Sequence, residues 1–266
     1  MELLENASEI AQKAGDVLMN FFGSKVKFKK KNDLTPVSEA DFASNELITD
    51  LLSVRFPKHH ILSEESEAQT GLQEGFNWVI DPLDGTSNFL HGLPYFCVSI
   101  ACVEKKTVGG KEDVTILAGV VFNPATKELF KAAVNQGAYL GTAQLGVSGT
   151  NSIAESFIAC GYHGDDDSKV FRDSYIALNT KADGSRRMGA AALDLAKTAE
   201  GVFDVFFDPV LKPWDIAAGA LLVSEAGGLA RNFPGHGDSK QFDLLERGII
   251  AGNSELVQKV SRVFAG

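Results

Sequence analysis

The segment Trp78-Val79-Ile80-Asp81-Pro82-Leu83-Asp84-Gly85-Thr86-Ser87-Asn88-Phe89 carries the densest chemistry in the chain. An apolar strand delivers Asp81 to its end, where Pro82 is expected to stop further pairing. Asp84 follows, then Gly85, Thr86 and Ser87. Two carboxylates this close repel unless a cation lies between them. Hard divalent ions take oxygen ligands of this kind, and Mg²⁺ commonly pairs a few carboxylates with a substrate phosphate. Gly85 permits close backbone approach. Thr86 and Ser87 offer hydroxyls and backbone N–H groups to an anion if a helix starts there. A turn that merely caps a helix would account for Asp84-Gly85 but not for Asp81 at a strand end.

Two further segments gain weight only in combination. In Lys212-Pro213-Trp214-Asp215, the proline suits a helix start and places Asp215 in the first turn, where a carboxylate also answers the helix dipole. Leu62-Ser63-Glu64-Glu65-Ser66 sets a glutamate pair after an apolar strand, an ordinary surface feature by itself. The five histidines show no i, i+4 spacing of a zinc site, and no G-x-S-x-G elbow appears.

The elements that must position these residues can be read from periodicity. Apolar residues from Leu3 to Phe21 recur at helical spacing, and Gly23 ends that stripe. KVKFKKK, with Val26 and Phe28 alternating with lysines, reads as a short exposed hairpin strand. Lys25 to Lys31 is the one basic cluster, either a solvated strand face or an aid in steering an anion. Ser38-Glu39-Ala40-Asp41 has the form of a capping box opening a helix to about Val54. Strands are expected at 60–62, 76–81, 95–103 and 114–122, with NPATKELF turning into another. The first part thus reads as two helices followed by a mostly antiparallel sheet. The second alternates strand and helix, with helices at about 168–180, 188–201, 214–226 and from Ser254, and suggests a parallel-rich α/β lobe. The change of style near residue 150 divides the chain into lobes 1–150 and 151–266, packed as one unit.

The 266 residues carry 25 basic and 35 acidic side chains, a formal net charge of −10. That balance disfavours generic nucleic-acid binding, which depends on Lys and Arg neutralising phosphates. Hydrophobic residues at 44% and charged residues at 23% describe an ordinary globular chain. The three cysteines, Cys97, Cys102 and Cys160, form no C-x-x-C pair and are expected as buried thiols in a reducing cytoplasm. The acidic, amphipathic N-terminus lacks the features of a signal peptide, and no apolar run approaches the ~18 residues of a membrane span.

Together these segments resemble the inositol monophosphatase family. DPLDGTSNFLHGLPYFCVSIA looks like its first signature and WDIAAGALLVSEAGG like its second, with SEES upstream and SRRMGAAALDLA between them. A string such as D-P-x-D-G-T arises by chance on the order of 10⁻⁴ times in a chain of this length. The resemblance runs from Asp41 in VSEADFASNEL to Gly228. It implies an α/β fold, a five-layered αβαβα sandwich, and Mg²⁺-dependent hydrolysis of a phosphate monoester, foremost an inositol 1-phosphate. Two to three Mg²⁺ per site are implied. Glu64, Asp81 and the Leu83 carbonyl match the ligands of the first ion. Asp81, Asp84 and Asp215 match those of the second, and a weaker third lies near Glu64. Glu64, Thr86 and Asp41 match catalytic positions, Thr86 and Asp41 as the pair that orients the attacking water. Gly85, Thr86 and Ser87 match the phosphate-binding turn. Gly189, Ala190, Ala191 and Asp208, with Asp84 and Asp215, match substrate-binding positions. Asp208 stands where the inositol enzymes usually carry a glutamate. A homodimer without membrane or nucleic-acid partners is implied as well.

Alternatives remain within and beyond the family. TPVSEAD and DPVLKPWD also resemble relatives acting on histidinol phosphate or nucleotide 3′-phosphates, and fructose 1,6-bisphosphate is a further family substrate. A haloacid-dehalogenase phosphatase would need D-x-D-G-T, with one residue between the carboxylates where this chain has Pro82 and Leu83. A phosphate-sensing scaffold that kept the fold would have no need of all five acids and Thr86.

Overall fold

The computed structural model describes residues 2–24, 28–30, 36–66, 71–162, 169–234 and 242–265. Val26 and the lysines at 25, 27 and 31 lie outside the described residues. The elements are α1 (Glu2–Phe21), β1 (Phe28–Lys30), β2 (Pro36–Ser38), α2 (Glu39–Arg55), β3 (His60–Ser63), β4 (Gly75–Asp84), α3 (Thr86–Leu90), β5 (Cys97–Val108), β6 (Lys111–Asn123), β7 (Glu128–Ala133), β8 (Ala138–Leu140), β9 (Ala143–Gln144), β10 (Phe157–Cys160), α4 (Lys169–Lys181), β11 (Gly184–Arg186), α5 (Ala191–Ala199), β12 (Val205–Asp208), α6 (Pro213–Glu225), β13 (Leu229–Asn232), β14 (Ile249–Gly252) and α7 (Ser254–Ala265). A short 3₁₀ turn spans Ile153–Glu155.

Strand alternation sorts the side chains into layers. In β4, Trp78 and Ile80 point to one face and Val79 to the other; in β5, Val98, Ile100 and Cys102 oppose Cys97, Ala101 and Val103. The first face packs on Ile10, Ala14 and Leu18 of α1 and on Ile48 and Leu52 of α2. The second packs on α5 and α6, whose buried residues include Leu193, Leu195, Ile216, Ala217 and Leu222. The same two helices meet Ala159, Phe206, Ala230 and Ala251 of a second sheet. The far face of that sheet, with Ile158, Val205, Phe207 and Ile250, is covered by Phe171 and Leu178 of α4 and by Leu256, Val260 and Phe264 of α7. The result is the expected five-layered αβαβα sandwich. Beyond its first turn α6 is apolar nearly all round, because sheets lie on both sides of it.

The seven-stranded sheet has the order β3-β4-β5-β6-β7-β8-β9 and is antiparallel except for the β3–β4 pair. The five-stranded sheet has the order β11-β10-β12-β14-β13. Only β10–β11 and β10–β12 are parallel; β12–β14 and β13–β14 are antiparallel. This sheet is therefore mixed, where the alternation of strands and helices predicts a parallel-rich one. Parallel neighbours need a crossover connection, and no described helix lies between β13 and β14 to provide one.

A second departure lies at Pro82. The strand does not stop there: β4 runs on to Asp84 through a bulge, with the register shifting between Asp81↔Ser99 and Asp84↔Cys97. Pro82 has no N–H to give the ladder, so the chain bulges past it and then re-pairs.

Candidate functional site

Glu64, Asp81, Leu83, Asp84, Gly85, Thr86, Ser87, Asn88, Arg187, Met188, Gly189 and Asp215 line one open cavity of about 430 Å³. Its floor is the end of β4. The bulge presents both Asp81 and Asp84, and the Ser44 hydroxyl donates to Pro82 O at 2.8 Å from α2 behind it. Glu64 lies just past β3, where its N–H donates to Ile80 O at 3.1 Å. Asp215 arrives from the other side of the sheet with the first turn of α6. Ser99, opposite Asp81 in the ladder, donates its hydroxyl to Trp214 O at 3.3 Å.

Each aspartate has one oxygen held by a backbone N–H. Leu83 N donates to Asp81 Oδ1 at 2.9 Å, Ala192 N to Asp84 Oδ2 at 2.7 Å and Lys212 N to Asp215 Oδ2 at 2.7 Å. Burial pushes the Asp81 and Asp215 carboxyls well above the usual range, and the charges of Glu64 and of the neighbouring aspartates add to the shift. Asp84 is pushed up to about 7, again chiefly by burial. The Cys97 thiol, also raised by burial, donates to Asp84 Oδ2 at 3.6 Å. All three cysteines are buried and free, as expected.

Asp41 lies behind the floor, only 2% exposed, with its carboxyl raised by burial. Ser38 caps α2 as the sequence implies. Its Oγ accepts from Ala40 N at 3.2 Å, while its own N–H and hydroxyl donate to Asp41 Oδ2 at 2.8 and 2.5 Å. Asp41 Oδ1 faces the Thr86 hydroxyl at 3.0 Å, and that hydroxyl also stands 3.1 Å from Leu83 O. Gly85 turns the chain into α3 with φ +88°; a Cβ there would lie 3.0 Å from Ala190 Cβ and 3.1 Å from Tyr95 O. The positive φ and the close approach both call for glycine.

The acids are hard oxygen donors whose shared burial is relieved by positive charge, which fits divalent cations. As they stand, no three His, Cys, Asp or Glu side chains among the described residues close on a single point. They stand around the cavity, each aspartate tethered on one side. Of the expected substrate residues, Gly189, Asp84 and Asp215 are on the walls. Ala190 is fully buried, Ala191 begins α5, and Asp208 is 2% exposed with Oδ1 accepting from Val210 N at 3.0 Å; none of the three lines the cavity. Asn88, Arg187 and Met188 are wall residues that the sequence reading did not assign. Asn88 Nδ2 donates to both Tyr95 O and Met188 O, at 2.7 and 2.8 Å, and so ties the turn after β4 to the loop before α5.

A sequence model of the inositol monophosphatase family matches residues 1–264. The chain belongs to the inositol monophosphatase family. It is 38% identical over 262 residues to the Nus factor SuhB of Pseudomonas aeruginosa, covering 95% of this chain and 92% of that one. It is 36% identical over 268 residues to the inositol-1-monophosphatase of Mesorhizobium japonicum, covering 97% and 93%. The crystal structure of the extragenic suppressor protein suhB from Bartonella henselae superposes with a TM-score of 0.87 at 35% identity, covering 99% and 98%. Inositol monophosphatases are generally metal-dependent phosphatases, which accords with the acidic cavity. No helix among the described residues is long and apolar enough to cross a membrane.

Proposed function

We propose that this inositol monophosphatase family member hydrolyses inositol 1-phosphate with Mg²⁺ held by Glu64, Asp81, the Leu83 carbonyl, Asp84 and Asp215. The observation that carries the reading is one cavity walled by four acids and Thr86, with Asp41 behind Thr86 and bonded to its hydroxyl. When bound, two to three Mg²⁺ neutralise these acids, offset the charge of the phosphate and ease departure of the alkoxide. The chain's own residues do the rest. Asp41 holds the Thr86 hydroxyl in one direction, so that its oxygen accepts a hydrogen from the attacking water and aims it in line with the ester bond. Gly85, Thr86 and Ser87 present the phosphate-binding turn, and Gly189 with Asp215 and Asp84 borders the space for the sugar.

A panel of inositol 1-phosphate, fructose 1,6-bisphosphate, histidinol phosphate and a nucleotide 3′-phosphate, each with and without Mg²⁺, tests this reading. Phosphate release that is fastest on inositol 1-phosphate and abolished by chelator is the expected result. A preference for another ester transfers the proposal to that branch of the family, and no release from any ester removes it. Inhibition by millimolar Li⁺, uncompetitive with substrate, is expected of the inositol branch. A homodimer is proposed on the resemblance alone, and equilibrium sedimentation checks it.

A further inference from the structure

SRRMGAAALDLA contains a carboxylate that the reaction above does not use. Asp194 of α5 is 2% exposed, and its carboxyl is raised well above the usual range by burial. The charges of Asp84 and Asp208 act on it unfavourably. The hydroxyl of Tyr95, in the loop between α3 and β5, donates to its Oδ1 at 2.6 Å. The same burial, together with Asp194, raises the Tyr95 phenol, so it remains a donor.

This bond does not stand alone between the two segments. Tyr95 O accepts from Asn88, which also holds Met188 O just before α5. Two residues into α5, Ala192 N donates to Asp84 Oδ2 at 2.7 Å. Around Gly85, Tyr95 O and Ala190 Cβ close to within about 3 Å of where a side chain would begin. The first turn of α5 thus supplies a ligating acid with its backbone donor, and Tyr95 holds that turn from the far side of the Asp84-Gly85 bend.

We propose that Tyr95 and Asp194 are positioning residues for Asp84: their hydrogen bond sets α5 so that Ala192 N–H grips Asp84 Oδ2 and the carboxylate faces the cavity ready for a cation. The inference rests on the reading of Asp84 as a cation ligand. Loss of the hydroxyl leaves Asp194 buried near two acids without its donor, a costly state that a shift of α5 relieves. An amide at position 194 keeps the acceptor and removes a like charge.

The test titrates Mg²⁺ calorimetrically into wild type, Tyr95→Phe, Asp194→Asn and Asp194→Leu, with thermal midpoints in chelator recorded alongside. Tyr95→Phe and Asp194→Leu are expected to weaken Mg²⁺ binding about tenfold, and Asp194→Asn to stay within about twofold of wild type, the range seen when groups that orient a metal ligand are removed or kept. A thermal midpoint that falls in Tyr95→Phe with Mg²⁺ binding unmoved makes the pair purely structural and overturns the proposal. Equal loss in Asp194→Asn and Asp194→Leu overturns it too, because the acceptor would then be irrelevant. Wild-type protein that binds no Mg²⁺ fails the cation reading itself, and the proposal falls with it. Should Asp194→Leu not fold, Tyr95→Phe against Asp194→Asn decides.

Discussion

The N-termini of α2 and α6 are built alike, and each places an aspartate at the third helical position. Asp41 Oδ2 takes the backbone N–H of Ser38, and Asp215 Oδ2 takes that of Lys212. From there they diverge. Asp41 also receives the Ser38 hydroxyl and, on its other oxygen, faces that of Thr86. Asp215 has no hydroxyl cap behind it and opens onto the cavity. The same cap geometry therefore yields two kinds of acid. One takes three protein donors and, in the proposed reading, directs a neighbouring hydroxyl. The other is held at one oxygen and, in the proposed reading, has its charge left for a cation. The number of protein donors on a carboxylate separates these roles better than its burial does, because burial raises both.

The sharpest way to break this contrast is to neutralise each acid in turn. Asp215→Asn keeps an oxygen for Lys212 N–H, so the helix start survives. Activity at saturating Mg²⁺ should nevertheless fall at least about 100-fold, ~2.7 kcal/mol in the barrier, and calorimetry should show weakened Mg²⁺ binding. More than about a tenth of wild-type kcat, a loss under ~1.4 kcal/mol, removes Asp215 from the ligand set. Asp41→Asn should cost less, between about 10- and 100-fold in kcat through a misdirected Thr86. Its Mg²⁺ binding should match wild type. If Asp41→Asn weakens Mg²⁺ binding as much as Asp215→Asn does, the two acids have one role and the contrast fails.

Stability against pH sharpens it further. The folded Asp84 carboxyl titrates at about 7 against an ordinary 3.8, and Asp81 and Asp215 shift the same way. The folded state thus holds protons that the unfolded chain releases. The stability these groups contribute is complete below their ordinary range and declines as pH rises through about 7. In chelator the thermal midpoint should be lower at pH 8 than at pH 5.5, by about 2–4 °C for each kcal/mol lost. Added Mg²⁺ should raise the midpoint more at pH 8, where the acids are charged. Equal Mg²⁺ increments at both pH values would mean that the acids do not share a cation.

What could be read from the residues depended on how local the cause was. Ser38 and Asp41 are three apart, so their capping box is visible in the string, and so is the alternation that turns Trp78 and Ile80 away from Val79. The Asp-Pro-Leu-Asp-Gly-Thr segment displays its own chemistry. Its path past Pro82 is not legible there, because a missing N–H shows where pairing lapses but not where a bulge restores it. The antiparallel half of the second sheet was hidden for a similar reason: strand direction is settled by where the connections run. Asn88, Arg187 and Met188 escaped assignment because they reach the cavity only when the turn after β4 meets the loop before α5, about 100 residues later. Nothing in the spacing of Gly189-Ala190-Ala191 told which of them would face the cavity and which would pack inward.

The smallest effect on activity is expected at Asp208, which the resemblance places against the hydroxyls of the sugar. In the fold it is a strand-end acid that takes Val210 N–H on Oδ1, and it is pressed so closely on Gly161 that a Cβ there would lie 1.6 Å from Oδ2. That close approach makes Gly161 and Asp208 a fitted pair, and the carboxylate is absent from the cavity walls. Asp208→Ala should change KM for inositol 1-phosphate and for glycerol 2-phosphate alike, within about threefold or ~0.7 kcal/mol. The thermal midpoint should fall, because Val210 N–H loses its acceptor at about 1–3 kcal/mol. A KM that rises tenfold or more for the inositol ester alone would show that Asp208 reaches the sugar after all. Such a result would require the carboxylate to leave its bond to Val210 when substrate binds. Asp208 would then be a third kind of acid beside Asp41 and Asp215, committed to the protein in the free state and to the ligand in the complex.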